Sequence, residues 1–115
     1  MEITYKDNDL KRCAEEPGFA RRHLGVVQAK LFLRRISMLL AAVCFEDLRH
    51  SPGHFHELRH DRKGQWGWDL NGPCRLVITP ASLPIPTNAT GGYEWRAIRG
   101  AVVLEIVDYH KEGGD

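Results

Sequence analysis

Cysteine is scarce in this sequence, and no two cysteines form a paired motif. The chain has three, at positions 13, 44 and 74, and contains no Cys-x-x-Cys pair. Small secreted domains that depend on disulfides, and zinc ribbons, need more cysteines at closer spacing. We therefore expect reduced thiols and a cytoplasmic location.

Long hydrophobic runs are also missing. The most apolar stretch, residues 36–45, is about half of the ~20 residues that a membrane-spanning helix requires. Residues 1–7 read MEITYKD and lack the basic and apolar regions of a signal peptide. We expect no membrane partner, which agrees with a cytoplasmic protein.

An excess of charge of either sign is absent as well. Sixteen Lys and Arg against fifteen Asp and Glu leave a formal net charge of +1, so no global field draws the chain to nucleic acid or to an anionic membrane. The basic residues are nevertheless clustered, because residues 21–35 contain no Asp or Glu. That segment carries Arg21, Arg22, Lys30, Arg34 and Arg35. Such a strip is either a solvated helix face or a contact to RNA backbone.

The composition is typical of one soluble globular domain. Of the 115 residues, 43% are hydrophobic and 27% are charged, which excludes disordered, collagen-like and coiled-coil chains. We expect residues 1–115 to form a single domain with a flexible tail over about 111–115.

The first half of the chain has the pattern of a strand followed by two helices. Residues 2–6 alternate polar and apolar, and Asp7 or Asp9 can cap a short helix that runs to about Glu16. From about residue 19 to residue 45, apolar residues recur at steps of three and four. They are Val26, Ala29, Leu33, Ile36, Leu40 and Val43. This spacing predicts one long amphipathic helix with its arginines facing outward.

The second half has the pattern of a sheet. Apolar or alternating runs occupy about 55–59, 65–70, 74–79 and 101–107, and turn residues separate the first three runs. The predicted fold class is α+β, with an N-terminal helical hairpin packed on a small, mainly antiparallel β-sheet. Trp66 and Trp68 share a strand face, and at least one of them is expected in the core. Residues 80–100 form a long loop that is either functional or simply mobile.

Residues suited to acid–base chemistry cluster near the ends of the predicted strands. His56, Arg75 and the segment Asp108-Tyr109-His110 converge at one sheet edge if the strands pair as predicted. An imidazole can take the proton of a ribose 2′-OH and an arginine can hold the phosphate, which is the chemistry of a metal-independent ribonuclease. The alternative is structural: Arg75 pairs with a carboxylate, Tyr109 closes the end of the sheet, and both histidines are surface residues.

The histidines also raise the alternative of a metal site. Four of the six lie between residues 50 and 60. No cluster of cysteines or carboxylates completes a tetrahedral ligand set, so the spacing does not favour zinc. We expect neither a metal nor another cofactor.

Three motifs together resemble a known family. They are HELRHDRKGQW at residues 56–66, CRLVI at residues 74–78 and EIVDYH at residues 105–110. In this order, and over nearly the whole chain, they are similar to the RelE/HigB-type toxins of the RelE/ParE superfamily. These are the plasmid-maintenance "killer proteins" of type II toxin–antitoxin systems. The long loop at residues 80–100 is similar to that of a longer branch of the family.

The resemblance implies a toxin that cleaves translated mRNA on the ribosome without metal, with the ribose 2′-OH as nucleophile. Its partners would be the ribosome, mRNA and a HigA-like helix-turn-helix antitoxin. The catalytic positions carried over from the family are His56, Arg75, Asp108, Tyr109 and His110. The RNA- or phosphate-binding positions are Arg34, Arg35, Arg59, Arg62 and Lys63. Arg59 replaces a frequent lysine and can clamp phosphate, but it cannot serve as a base.

Two other functions remain open for this fold. A gyrase-poisoning, ParE-like toxin would bind a protein and would need no nuclease residues, although His56, Arg75 and His110 together argue against it. A catalytically silent module would bind only RNA or the antitoxin. In that case Arg59, and His60 in place of the family's usual glycine, are among the departures that have cost the activity.

Overall fold

The computed structural model describes residues 1–109, and its helices and strands follow the predicted order closely. The strands are β1 (Glu2–Tyr5), β2 (His56–Glu57), β3 (Trp66–Asp69), β4 (Cys74–Pro80) and β5 (Gly100–Asp108). The α-helices are α1 (Asn8–Glu15), α2 (Pro17–Leu24) and α3 (Val26–Ala41). Short 3-10 helices lie at Phe45–Leu48, His60–Arg62 and Trp95–Ala97.

The five strands form one sheet in the order β1-β5-β4-β3-β2. β1 is parallel to β5, and the other three neighbouring pairs are antiparallel. The predicted meander of β2, β3 and β4 is therefore confirmed, and so is the α+β class with helices packed beside a mainly antiparallel sheet. The short strand β2 lies at one edge of the sheet, opposite the edge formed by β1.

Gly25 divides the segment that the sequence predicts as one long helix. That prediction is wrong, because α2 ends at Leu24 and α3 begins at Val26. Gly25 has a φ of +84°, a value that interrupts a right-handed helix and that glycine adopts without strain. Pro17 stands at the first position of α2, where its missing N–H costs nothing. The first half of the chain thus contains three helices rather than a pair.

The buried face of α3 also differs from the predicted one. Its buried apolar residues are Ala29, Phe32, Ile36 and Leu39. By contrast Val26, Leu40 and Val43 are 69%, 57% and 65% exposed. One residue is about 100° around a helix, so the full burial of Phe32, with Leu33 only partly buried at its side, rotates the packed face. The large aromatic ring fills the core, and the prediction for the ends of the stripe is wrong.

Aromatic residues fill the space between the helices and the sheet. Trp66 and Trp68 project from β3 to the same face and are fully buried, which confirms their predicted shared face. Phe45 meets Trp66 edge to face with the ring centroids 5.0 Å apart, and Phe55 meets Trp68 in the same way at 5.1 Å. Edge-to-face pairs are favourable beyond the area that they bury. The segment just before β2 is therefore anchored in the core through Phe55.

The segment between β4 and β5 is a long and mostly exposed loop whose last part packs on the core. Trp95 and Ile98 are buried, and the ring of Tyr93 lies 5.6 Å from that of Trp66. The backbone N–H of Glu94 donates to Pro86 O at 2.8 Å, so the segment folds back on itself. As a result, Trp95 lies beside β2 and donates a hydrogen bond to Glu57 of that strand.

Arg35 corrects the prediction that every basic residue between positions 21 and 35 faces outward. Arg35 is only 6% exposed, whereas Arg34 beside it is exposed. The Arg35 guanidinium donates to the backbone oxygen of Asp69 from Nε at 3.1 Å and from Nη2 at 3.0 Å. Burial lowers the pKa of Arg35, and the charge of Arg34 lowers it further. Arg35 thus ties α3 to β3, since a buried carbonyl oxygen needs a donor.

The substitution Arg35→Ala is expected to lower the free energy of unfolding by roughly 2–3 kcal/mol, because Asp69 O loses both of its guanidinium donors inside the protein. Urea unfolding followed by tryptophan fluorescence measures the change. Arg34→Ala is the matched control and is expected to change stability by less than about 0.5 kcal/mol. Equal unfolding midpoints for the two variants would contradict a structural role for Arg35.

Candidate active site

A cleft of about 760 Å³ opens at the edge strand β2. Cationic and imidazole side chains dominate its walls, and among the described residues that line it Glu57 is the one carboxylate. The basic lining residues are Arg49, His54, His56, Arg59 and Arg75. Phe55, Leu58 and Trp95 supply apolar surface. A concave site with several cationic hydrogen-bond donors is suited to an anion such as a phosphodiester.

Arg75 reaches this cleft across the face of the sheet that lies away from the helices. Gly67 of β3 lies opposite His56 of β2 in the strand register, and the side chain of Arg75 passes directly over Gly67. A Cβ atom at position 67 would overlap Arg75 Cδ and would lie 2.9 Å from Leu58 Cδ2. The missing side chain of Gly67 therefore allows Arg75 to lie flat toward the strand that carries His56.

Asp69 and Tyr109 are among the described neighbours of the Arg75 guanidinium. Asp69 Oδ1 lies 3.7 Å from Arg75 Nε, a distance that makes an ion pair but is too long for a hydrogen bond. The ring centroid of Tyr109 lies 4.4 Å from Arg75 Cζ, within the range of a cation–π contact. Because Arg75 is already held in place and is 8% exposed, it loses little conformational freedom on binding an oxyanion.

His56 is held in one tautomer by the backbone. Its Nδ1 lies 2.6 Å from the carbonyl oxygen of His54, and a carbonyl oxygen can only accept a hydrogen bond. Nδ1 therefore carries the proton in the neutral imidazole, and Nε2 is the basic nitrogen. The ring can thus take up a proton at Nε2 without losing its hold on the backbone.

His54 is a site residue that the sequence analysis did not single out. Its ring stacks on that of His56 with the centroids 4.1 Å apart and the planes 11° from parallel. Its backbone has a φ of +52°, in the left-handed region that non-glycine residues adopt at a cost. Two histidines at i and i+2 are typical of a shared strand face, and this spacing alone does not indicate a turn that stacks the rings.

The other wall of the cleft is formed by residues that tertiary packing brings together. The indole N–H of Trp95 donates to Glu57 Oε2 at 2.8 Å, and Arg49 Cζ lies 3.8 Å from the centroid of the Trp95 ring. Arg49 Nε also donates to Glu46 Oε2 at 2.6 Å, and this bond raises the pKa of Arg49 and lowers that of Glu46. No local sequence signal joins Arg49 to Trp95, so sequence reasoning missed this wall.

Of the five residues predicted to be catalytic, the structure brings three together. His56 and Arg75 line one cleft, and Tyr109 lies against Arg75. Asp108 is paired with Cys74 across β5 and β4, and Cys74 packs against the helix-side core. Directly opposed residues point to the same face of a sheet, so the strand register places Asp108 on the helix side, and Asp108 is not among the residues that line the cleft. His110 lies outside the described residues.

The predicted RNA- and phosphate-binding residues lie in different places. Arg59 lines the cleft, whereas Arg62 pairs with Glu105 at 3.2 Å and is not among the lining residues. Lys63 is exposed beside Arg62. Arg34 is exposed on α3, on the opposite side of the sheet from Arg75, and the buried Arg35 described above is unsuited to contact RNA.

Over residues 1–109, no three His, Cys, Asp or Glu side chains are grouped so that they could hold a metal ion. Within the same residues, no helix has both the length and the apolar character needed to cross a membrane.

No protein-family model matches the chain, and no curated protein matches its sequence. The resemblance to RelE/HigB-type toxins therefore depends on the three sequence motifs.

Proposed function

We propose that this protein is the toxin of a toxin–antitoxin system and acts as a metal-independent, ribosome-dependent mRNA endonuclease. The observation that carries the proposal is the presence of His56 and Arg75 in one cationic cleft. A base with a defined basic nitrogen and a fixed phosphate-binding guanidinium are the two groups that cleavage through a 2′-OH needs first.

His56 is the general base in this mechanism. Its Nε2 takes the proton of a ribose 2′-OH, and the resulting oxygen attacks the adjacent phosphorus. The bond from phosphorus to the 5′-oxygen of the next nucleotide then breaks. The products are a 2′,3′-cyclic phosphate and a 5′-hydroxyl, and a proton returns to the leaving oxygen. We assign that proton transfer to His110, the remaining imidazole of the EIVDYH motif.

Arg75 stabilises the charge that develops on the phosphate. Its fork of N–H donors fits two non-bridging oxygens, and the contact strengthens as the phosphorane-like transition state gains negative charge. Tyr109 supports Arg75 by the cation–π contact. Arg59 adds positive charge to the lining of the cleft and contributes to binding rather than to proton transfer.

The partners follow from the same proposal. Exposed basic residues on α2 and α3, among them Arg34, would contact the backbone of ribosomal RNA, and this contact should weaken with salt. The toxin would act in the cytoplasm, where translating ribosomes are found. A HigA-like helix-turn-helix antitoxin would hold it inactive.

The chemistry of the cleaved ends tests the proposed reaction. Purified protein is added to a translation system programmed with a defined mRNA, and the ends of the fragments are analysed. We expect 2′,3′-cyclic or 3′-phosphate ends and 5′-hydroxyl ends, and no cleavage when the cut nucleotide carries a 2′-deoxyribose. Fragments with 3′-hydroxyl and 5′-phosphate ends would contradict the assigned nucleophile. Intact mRNA together with inhibited supercoiling would favour the gyrase alternative.

A further inference from the structure

We propose that the ring of His54 is a stacking platform for an unpaired nucleobase of the substrate, next to the scissile phosphate. The inference rests on the proposed function, because it assigns a base-binding position to the same cleft. It concerns a residue that none of the sequence motifs includes.

The backbone presents this ring in a fixed position. Gly53 and His54 have consecutive positive φ values of +98° and +52°, and Phe55, which follows them, is 2% exposed and anchored among the core aromatics. A left-handed residue other than glycine is costly, although histidine is among the residue types enriched there. The turn therefore fixes the direction of the His54 side chain, at a cost in backbone strain.

Among the residues that the structure describes, the stack on His56 covers only one face of the His54 ring. The two rings are parallel within 11° at 4.1 Å, so His56 covers one face of His54. His54 is nevertheless exposed and lines the cleft. Among the described residues, His56 is the one ring that stacks on it. An exposed, flat ring at the wall of a cationic cleft offers the surface on which single-stranded bases stack in proteins.

The position of the ring determines which base it binds. His56 takes the proton of the 2′-OH in the proposed reaction, and His54 extends the same stack by one ring. A base that continues the stack therefore belongs to a nucleotide that flanks the cleaved bond. Stacking accepts any base because every base has a π-face. The platform therefore raises the affinity for RNA and fixes the position of the strand, and it contributes little to sequence preference.

Binding of a short, non-cleavable oligonucleotide tests the platform without any need for cleavage. The probe is a fluorescein-labelled trinucleotide with 2′-O-methyl riboses, and its affinity for the full chain is measured by fluorescence anisotropy. Three further probes each carry one abasic residue. For the wild type we expect one position at which loss of the base weakens binding roughly tenfold, as is typical of one base–aromatic stack.

Substitutions at position 54 separate the ring from the backbone. His54→Asn tolerates the left-handed conformation and keeps the carbonyl that holds His56, but removes the ring. We expect the affinity of His54→Asn for the intact probe to equal the affinity of the wild type for the sensitive abasic probe. The affinity of His54→Asn should be the same for both probes. His54→Phe keeps a flat ring and should restore the difference. His60→Asn is the matched control, because His60 is also an exposed histidine with positive φ, +57°, and does not line the cleft.

Three results would overturn the inference: equal affinities of the wild type and His54→Asn, the same abasic penalty in both proteins, or no measurable binding of the intact probe by the wild type. Each of these leaves the nuclease proposal standing if the wild type still cuts translated mRNA. Loss of that proposal would instead appear as unchanged cleavage by a variant that lacks the His56 imidazole.

Discussion

Replacing His56 by glutamine is expected to lower the rate of cleavage of translated mRNA by roughly a hundredfold to ten-thousandfold, the range that a positioned general base supplies. Glutamine places an amide near the position of the imidazole Nε2, but it cannot accept a proton at neutral pH. Binding of the substrate should change little, so the loss is expected in kcat rather than in KM. Single-turnover cleavage on stalled ribosomes separates the two constants.

His60→Gln provides the control for His56→Gln. His60 is an exposed histidine in the same motif, but it does not line the cleft. We expect its rate to stay within about threefold of the wild type, because surface substitutions away from specific contacts have small effects. If both variants cut at the wild-type rate while remaining folded, the assignment of His56 as the base is wrong.

The second large effect is expected at Arg75. Arg75→Lys keeps the charge but loses the planar fork, and a lysine is a poor substitute where two phosphate oxygens are held at once. Removing a preorganised donor to a developing oxyanion costs about a hundredfold to a thousandfold in kcat. The control is Arg12→Lys on α1, where the arginine also stacks on an aromatic ring, Phe19 at 4.1 Å, and pairs with Glu16. Arg12→Lys should leave cleavage unchanged.

Gly67→Ala tests the same assignment without altering Arg75 itself. The added methyl group would overlap Arg75 Cδ and crowd Leu58, so the guanidinium must move although its charge and donors remain. Small displacements of a catalytic group can cost about a hundredfold in rate. We expect kcat to fall toward that of Arg75→Lys in protein that still shows its native far-UV spectrum. If folded Gly67→Ala has the kcat of the wild type, the position of the Arg75 guanidinium over Gly67 is not required for cleavage.

Much of the fold could be predicted because its signals are local. The alternation around Trp66 and Trp68 gave β3 and its buried face, and the apolar run before Asp108 gave β5. The helical segment was harder to predict, since the apolar spacing continues through Gly25 and only the φ of that glycine separates α2 from α3. Arg35 was misassigned because a buried guanidinium and a solvated one look alike in sequence, and its partner is a backbone oxygen 34 residues away.

The candidate site was predictable in part, for a related reason. The motifs pointed to His56 and Arg75, and strand pairing then brought both residues to one cleft. The neighbours Asp108 and Tyr109 are placed differently, because the strand register pairs Asp108 with Cys74 whereas the ring of Tyr109 lies against Arg75. His54 and the wall around Trp95 depend on a left-handed turn and on packing between distant segments. Neither has a periodic signature along the chain.

The central claim is that the protein cuts mRNA during translation with the residues of the cleft. The most direct test is to induce the wild type and His56→Gln in a bacterial host and to map 5′ ends on a reporter mRNA. The same reporter without its start codon is mapped in parallel. We expect cuts only in the translated message, and a loss of those cuts in the variant. Intact message in every lane, despite soluble protein, would contradict the nuclease function and would leave the cleft with a binding role.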